Sequence, residues 1–268
     1  MATVTGAHGD RVARARDLQS VKGRKEHARF IFEGPTLLEE AVRSGLEIEE
    51  LFLLPAVYER SDLVRRLEDA GTPVYLVDER TSAKISTLET PTGLVAVAAQ
   101  QLRPLAGVLA GPLTLVLADL NDPGNVGTLL RSAEAFGASG VVLGRLGVDP
   151  YHPKVLRGAM GALFRVPAAV ASAEEFLAAS GGLRTIGLAA AGEDIARLRP
   201  APPAALIVGH ERRGLGLWEP ACGQLAGIPM HGAVESLNAA VAGSIALYAL
   251  ARSCQDSPRT RKSQDFPQ

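Results

Sequence analysis

LTLVLADLNDPGNVGTLLRSAEAFGASGVVLG, residues 113–144, is the stretch whose reading decides the fold. Residues 113–120 are almost continuously apolar, the pattern of a strand buried on both faces. NDPGNVG at 121–127 supplies turn chemistry, and Asn125 can be read there as a helix cap. TLLRSAEAFGASG at 128–140 is helical with a glycine-rich exit, and VVLG at 141–144 is a second strand. Strand, loop, helix and strand in about 30 residues make a βαβ unit. Parallel sheets built from such units bind ligands outside the carboxyl ends of their strands.

The alternation continues on both sides. Toward the C-terminus come helices near 153–162 and 173–180, strands TIGLAA (185–190) and AALIVG (204–209), and an apolar helix, ESLNAAVAGSIALYALARS (235–253). Toward the N-terminus lie strands at FIFEG (30–34), LFLL (51–54), VYLV (74–77) and LVAVAA (94–99). Helices at 35–45, 61–71 and near 80–87 separate them, with Pro35 suited to a first turn and Gly45 to a stop. The fold class is therefore α/β. A basic segment spans 1–29, a smaller α/β domain 30–100, a linker 101–112, a larger parallel-sheet domain 113–254 and a polar tail 255–268.

Composition narrows the function classes. The 268 residues carry a formal net charge of -1 with 47% hydrophobic and 21% charged residues, a globular balance that excludes wholesale disorder. The charge is unevenly spread: residues 1–30 hold seven basic and three acidic side chains, and 31–111 hold seven and thirteen. Two readings of RVARARDLQSVKGRKEHAR (11–29) stand: a solvated helix and loop, or a phosphate-contact strip using Arg24, Lys25 and Arg29. The N-terminus lacks the apolar core of a signal peptide, and Ala239–Ala251 is too short and too interrupted to span a membrane, so a cytoplasmic protein is expected. Cys222 and Cys254 form no CxxC pair, and no residue set has metal-ligand spacing.

Three clusters fall at strand ends. The first runs from Asn121 to Arg131 and sets an arginine one or two turns into a helix, an arrangement suited to a phosphate or carboxylate. The second, LIVGHERRGL (206–215), places Glu211 directly after a buried strand. It reads either as a surface ion pair with its neighbouring arginines or as a carboxylate that orients a ligand. The third, IPMHGAVESLN (228–238), offers Ser236 as the cap of the last helix with Asn238 in its first turn. A GxGxxG with a later acidic residue, a phosphate loop, a GxSxG and an HExxH are all missing from the chain.

Asn125, Gly127 and Arg131 with SAEAFGA; Gly209, Glu211, Gly214 and Leu215; and Ile228, Pro229, Met230, Gly232, Ser236, Leu237 and Asn238, in this order, resemble the SpoU (TrmH-type) RNA ribose methyltransferases of the α/β-knot superfamily. PKVLRGAMGALFRVP (153–167) is similar to a segment common in them, and RKEHARFIFEGPTLLEEAV resembles the start of their substrate-binding domain. The resemblance implies a trefoil-knotted α/β methyltransferase domain with a parallel sheet and a smaller N-terminal substrate-binding domain. It implies S-adenosylmethionine as cofactor, held by loops containing Gly209, Ile228, Met230, Gly232 and Leu237. It implies a homodimer with the active site near its interface, and methyl transfer to a ribose 2′-OH of structured RNA. Ribosomal RNA is favoured over transfer RNA because the chain has two domains.

The same resemblance assigns Arg131 to the reacting centre, with Asn125, Glu211, Ser236 and Asn238 positioning it and the ribose. Arg131 is either the base or a phosphate binder that polarises the hydroxyl, and a guanidinium pKa above about 12 makes the first role uncomfortable. Arg157 and Arg212, with Arg165 and Arg213, are candidate RNA contacts. Ala239 and Ala240 stand where a Val-Ser pair is common, and Ala159 where a Ser is frequent. Two other readings compete: a catalytically silent RNA-binding knot protein, and a non-RNA binder of a nucleotide-like ligand.

Overall fold

The structure, a computed structural model, describes residues 3–4, 9–231 and 236–255. It divides into two compact units, 1–101 with 151–164, and 102–150 with 165–268. Among the described residues no helix is long and apolar enough to cross a membrane.

The first unit is a five-stranded mixed sheet of β1 (Thr3–Val4), β2 (Arg29–Glu33), β3 (Glu50–Leu53), β4 (Val74–Leu76) and β5 (Leu94–Ala99), in the order β1-β4-β3-β5-β2. The β5 strand runs antiparallel to both β2 and β3. Its helices are α1 (Asp10–Asp17), α2 (Val21–His27), α3 (Pro35–Arg43), α4 (Pro55–Arg60), α5 (Asp62–Asp69) and α6 (Glu79–Ile85).

The basic segment 1–29 is not a strip outside this domain. Val12, Ala15 and Leu18, spaced three apart on one face of α1 and its C-terminal turn, join a core cluster with Ile31, Phe52, Ile85 and Val97. Arg24 is corrected with it. The side chain is 1% exposed, and its Nη1 donates to the carbonyls of Leu18 (2.9 Å) and Gln19 (2.8 Å), closing the α1–α2 turn. Buried and satisfied in this way, Arg24 is not available to RNA.

The second unit opens with α7 (Leu105–Leu109), β6 (Leu113–Leu117), α8 (Pro123–Ala135) and β7 (Gly140–Gly144). The expected linker 101–112 thus contains a helix, and its Val108 and Leu109 are buried in the second unit's core. The chain then forms α9 (Pro153–Ala159) and α10 (Ala162–Arg165). Residues 151–164 belong to the first unit, not to the domain in which the sequence placed them. The cause is aromatic packing: Tyr151 lies 4.5 Å from the Phe30 ring, and Phe164 lies 5.5 Å from that of Phe32.

The unit resumes with β8 (Ala168–Ala171), α11 (Ala173–Ala179), β9 (Arg184–Asp194), β10 (Ala204–Val208), β11 (Gln224–Gly227) and α12 (Ala239–Gln255). Six parallel strands lie in the order β11-β9-β10-β6-β7-β8. The β9 strand is longer than TIGLAA foretold, and β11 pairs along it with a register shift between Leu225 and Ala226. The crossing there is so close that a Cβ on Gly192 would lie 2.4 Å from the Ala226 backbone. The α12 helix packs on α8 with Gly243 against Leu129, and the hydroxyls of Ser132 and Ser244 are 2.7 Å apart.

Candidate active site

A cavity of about 520 Å³ opens at the carboxyl end of β10 and beside the middle of β9, and the carboxyl edge is where a parallel sheet is expected to bind its ligand. Gly209, Ile228, Met230 and Leu237, expected to hold the cofactor, all line it, as do Glu211 and Ser236. Gly232 lies outside the described residues. Leu188, Ala189 and Ala190, which close the TIGLAA run of β9, form a further wall for which the chain carries no motif. Gly209 is required for a reason internal to the loop. A Cβ there would meet the Gly214 carbonyl at 2.3 Å, because His210 and Gly214 exchange backbone hydrogen bonds of 2.9 and 2.8 Å. The 209–216 loop is thereby folded back on itself as one wall of the cavity.

Two caps differ from expectation, and the difference builds the rim. Asp122, not Asn125, caps α8: its Oδ1 accepts from the Asn125 N–H at 2.7 Å, and Pro123 takes the first turn. Asn238, not Ser236, caps α12: its Oδ1 accepts from the N–H groups of Ala240 (2.9 Å) and Val241 (3.2 Å). With that oxygen occupied, the Asn238 amide nitrogen donates to Asn125 Oδ1 at 2.9 Å, and Asn125 Nδ2 in turn donates to Glu211 Oε1. The α12 cap therefore dictates the orientation of both amides and fixes one carboxylate oxygen of Glu211. The other oxygen lies 3.7 Å from His210 Nδ1, which accepts from the Arg212 N–H.

A second set of bonds ties the loops beneath. Asp119 sits at φ 52° just after β6. Its Oδ2 accepts from the indole N–H of the buried Trp218 at 2.8 Å, and its Oδ1 from the Leu146 N–H at 3.0 Å. Asn121, with its amide turned to match its neighbours, donates to the Leu146 carbonyl (3.2 Å) and accepts from Arg213 (2.8 Å). The loops after β6, β7 and β10 are thus joined through Asp119, Asn121, Trp218 and Arg213. The sequence reading missed the first three, since their partners lie up to 99 residues away. Cys222 closes this region: burial pushes its thiol up to about 11, so it stays protonated and unreactive at neutral pH.

Arg131 is exposed on α8 and makes no hydrogen bond or ion pair among the described residues. The Asn238–Asn125–Glu211 chain forms without it, so the expected hold of that chain on Arg131 is not made. Of the candidate RNA contacts, Lys25 and Arg212 are exposed, and Arg157 is half-buried on α9 in the first unit. Arg29 pairs with Glu49. Arg165 forks onto both oxygens of Glu134 and is taken up in that pair.

The profile of the SpoU rRNA Methylase family matches residues 112–248, and that of the MRM3-like substrate binding domain matches 10–96. The chain is 30% identical over 255 residues to the 23S rRNA (guanosine(2553)-2'-O)-methyltransferase RlmP of Bacillus subtilis, covering 93% of this chain and 99% of that protein. The AdoMet-bound rRNA methyltransferase from Sinorhizobium meliloti superposes with a TM-score of 0.80 at 31% identity, covering 93% of this chain and 97% of the other. The SpoU methyltransferase AviRb from Streptomyces viridochromogenes, in complex with AdoMet, gives 0.81 at 26% identity over 91% and 98%. With a parallel sheet, a cavity at its carboxyl edge and this extent of similarity, the chain belongs to the SpoU rRNA methylase family.

Proposed function

We propose that the protein transfers a methyl group from S-adenosylmethionine to a ribose 2′-OH of structured ribosomal RNA. The observation that carries this reading is the placement of Glu211 and Ser236 in the same cavity as Gly209, Ile228, Met230 and Leu237. At about 520 Å³ the cavity falls within the roughly 300–1,000 Å³ typical of small-molecule sites. Its apolar lining suits the cofactor's adenine and thioether, and its backbone-rich 209–216 wall suits the polar edges. When bound, the cofactor supplies a methyl group already activated on a sulfonium.

The chain's own residues then position the hydroxyl and remove its proton. Arg131 holds the phosphate beside the target ribose and polarises the hydroxyl, since a guanidinium offers five donors and no acceptor. With the cofactor bound, the free oxygen of Glu211 would take the hydroxyl proton, and the ribose oxygen would take the methyl group in exchange for the cofactor's carbon–sulfur bond. Asn125 and Asn238 keep that oxygen aimed, so proximity supplies much of the acceleration.

We read the assembly as a cytoplasmic homodimer whose second unit follows a knotted path. Val241, Ile245 and Tyr248, spaced along one face of α12, are 49%, 42% and 47% exposed, which supports an interface there. The close packing of Gly227 on the carbonyls of Ala189, Ala190 and Gly192 supports the knot. Ile245→Glu is expected to give a monomer in sedimentation, and a dimer unchanged by this substitution would move the interface elsewhere. For the reaction itself, calorimetry should show one S-adenosylmethionine per chain. Labelled methyl should pass to rRNA taken from a strain lacking the gene. Absence of both would leave the cavity without the proposed role.

A further inference from the structure

We propose that a cleft in the first unit, between α1 and the starts of β2 and β3, is a separate RNA site that takes one unpaired nucleotide. The inference rests on the RNA reading above. It concerns residues that no part of the methyl-transfer site uses.

The cleft encloses about 450 Å³, enough for a nucleotide. Its floor is apolar: Ala15, Leu18 and Val97 are core residues only 1–3% exposed. Its rim is charged. Arg11 Nη1 (2.7 Å) and Arg14 Nη2 (3.1 Å) both donate to the same oxygen of Glu50. Arg29 pairs with Glu49 and also donates to the His27 carbonyl at 3.0 Å. An apolar floor beneath a donor-rich rim suits a splayed-out base with its phosphate, the form in which single-stranded RNA is read.

The Arg11–Arg14–Glu50 set explains why the ligand is an anion. Two guanidinium groups share one carboxylate, so the set keeps a net positive charge. Each fork commits one of its five N–H donors to Glu50 and keeps others for a phosphate. Glu50 is 15% exposed, whereas Arg11 and Arg14 are 49% and 53% exposed, so the carboxylate anchors two cations that face solvent. The Arg11 guanidinium also lies 5.0 Å above the Tyr75 ring, which limits its freedom further. Pairs this exposed hold weakly, so a phosphate can add to them without breaking a buried bond. Glu49 remains as an acceptor for an amino or imino N–H of the base.

The test uses the full-length protein, labelled S-adenosylmethionine and rRNA from a strain lacking the gene. Arg11→Ala with Arg14→Ala is expected to raise KM for RNA at least about tenfold with kcat within about twofold. The salt slope of that KM should fall by about 1, as one phosphate contact is lost. Affinity for S-adenosylmethionine should not change. Arg11→Lys with Arg14→Lys keeps charge but loses the fork, and should give an intermediate KM. It also decides the matter should the alanine pair fold poorly. A wild-type KM and slope in the folded double variants would overturn the cleft while leaving the methyltransferase reading intact. Wild-type protein that transfers no methyl group to RNA would remove that reading, and the cleft's role with it.

Discussion

The cleft of the first unit and the cavity of the second hold their polar groups in different ways. Around the cleft, Arg11, Arg14 and Arg29 meet Glu50 and Glu49 as half-exposed ion pairs. In the second, the decisive contacts are amides and a carboxylate locked by helix caps and an indole: Asn238 to Asn125 to Glu211, and Trp218 to Asp119. Exposed pairs contribute about 0–1 kcal/mol and exchange readily with a ligand. Capped, directional networks have one low-energy arrangement and resist exchange. The first unit is therefore suited to trading contacts with a polyanion, and the second to holding reacting groups still.

Substitutions can break that contrast, and Arg131→Ala should have the largest effect. A cation that acts only at the reacting centre is expected to cost about 10²–10³ in kcat when removed. Because Arg131 does not line the cavity, S-adenosylmethionine affinity measured by calorimetry should be unchanged. Next comes Asn125→Ala, which leaves Glu211 and the Asn238 amide without their partner. A loss of about 1–3 kcal/mol of positioning corresponds to roughly 5–150-fold in kcat, with little change in KM for RNA.

Asp119→Asn should act on stability first. An asparagine presents only one acceptor to the N–H groups of Trp218 and Leu146, so one is left unpaired. Thermal melting should report about 1–3 kcal/mol of destabilisation, with weaker cofactor binding because the Trp218 loop lines the cavity on either side. Arg165→Ala should be the mildest, costing at most about 1 kcal/mol by denaturant titration with wild-type kcat, since its fork to Glu134 is a partly exposed pair. A large loss of activity there would mean that Arg165 meets RNA after all.

How much of this was legible beforehand follows from the range of each signal. The strands and helices around 113–144 were readable because alternation and turn residues are local. The cluster positions of Asn125, Glu211 and Asn238 were readable too, since each lies at a strand or helix end. Their mutual bonding was not, because the partners are 86 and 113 residues apart in sequence. The caps differ for a local reason: Asp-Pro lets α8 start at Pro123, three residues before an Asn125 cap would allow, so Asp122 and not Asn125 takes the cap. Arg24 misled because charge alone reads as surface. The two carbonyls that bury it belong to the turn its own segment makes. The 101–112 stretch misled because its Pro and Gly outweighed the short apolar run that forms α7.

In the proposed function the cavity beside Glu211 and the cation at Arg131 together methylate ribose. The most direct measurement is a map of 2′-O-methylated riboses in rRNA from a deletion strain carrying either the wild-type gene or Arg131→Ala. The expected result is a site that is lost on deletion, restored by the wild type and not restored by the variant. A map unchanged by deletion, or a methyl group found on a base instead of a ribose, would contradict it.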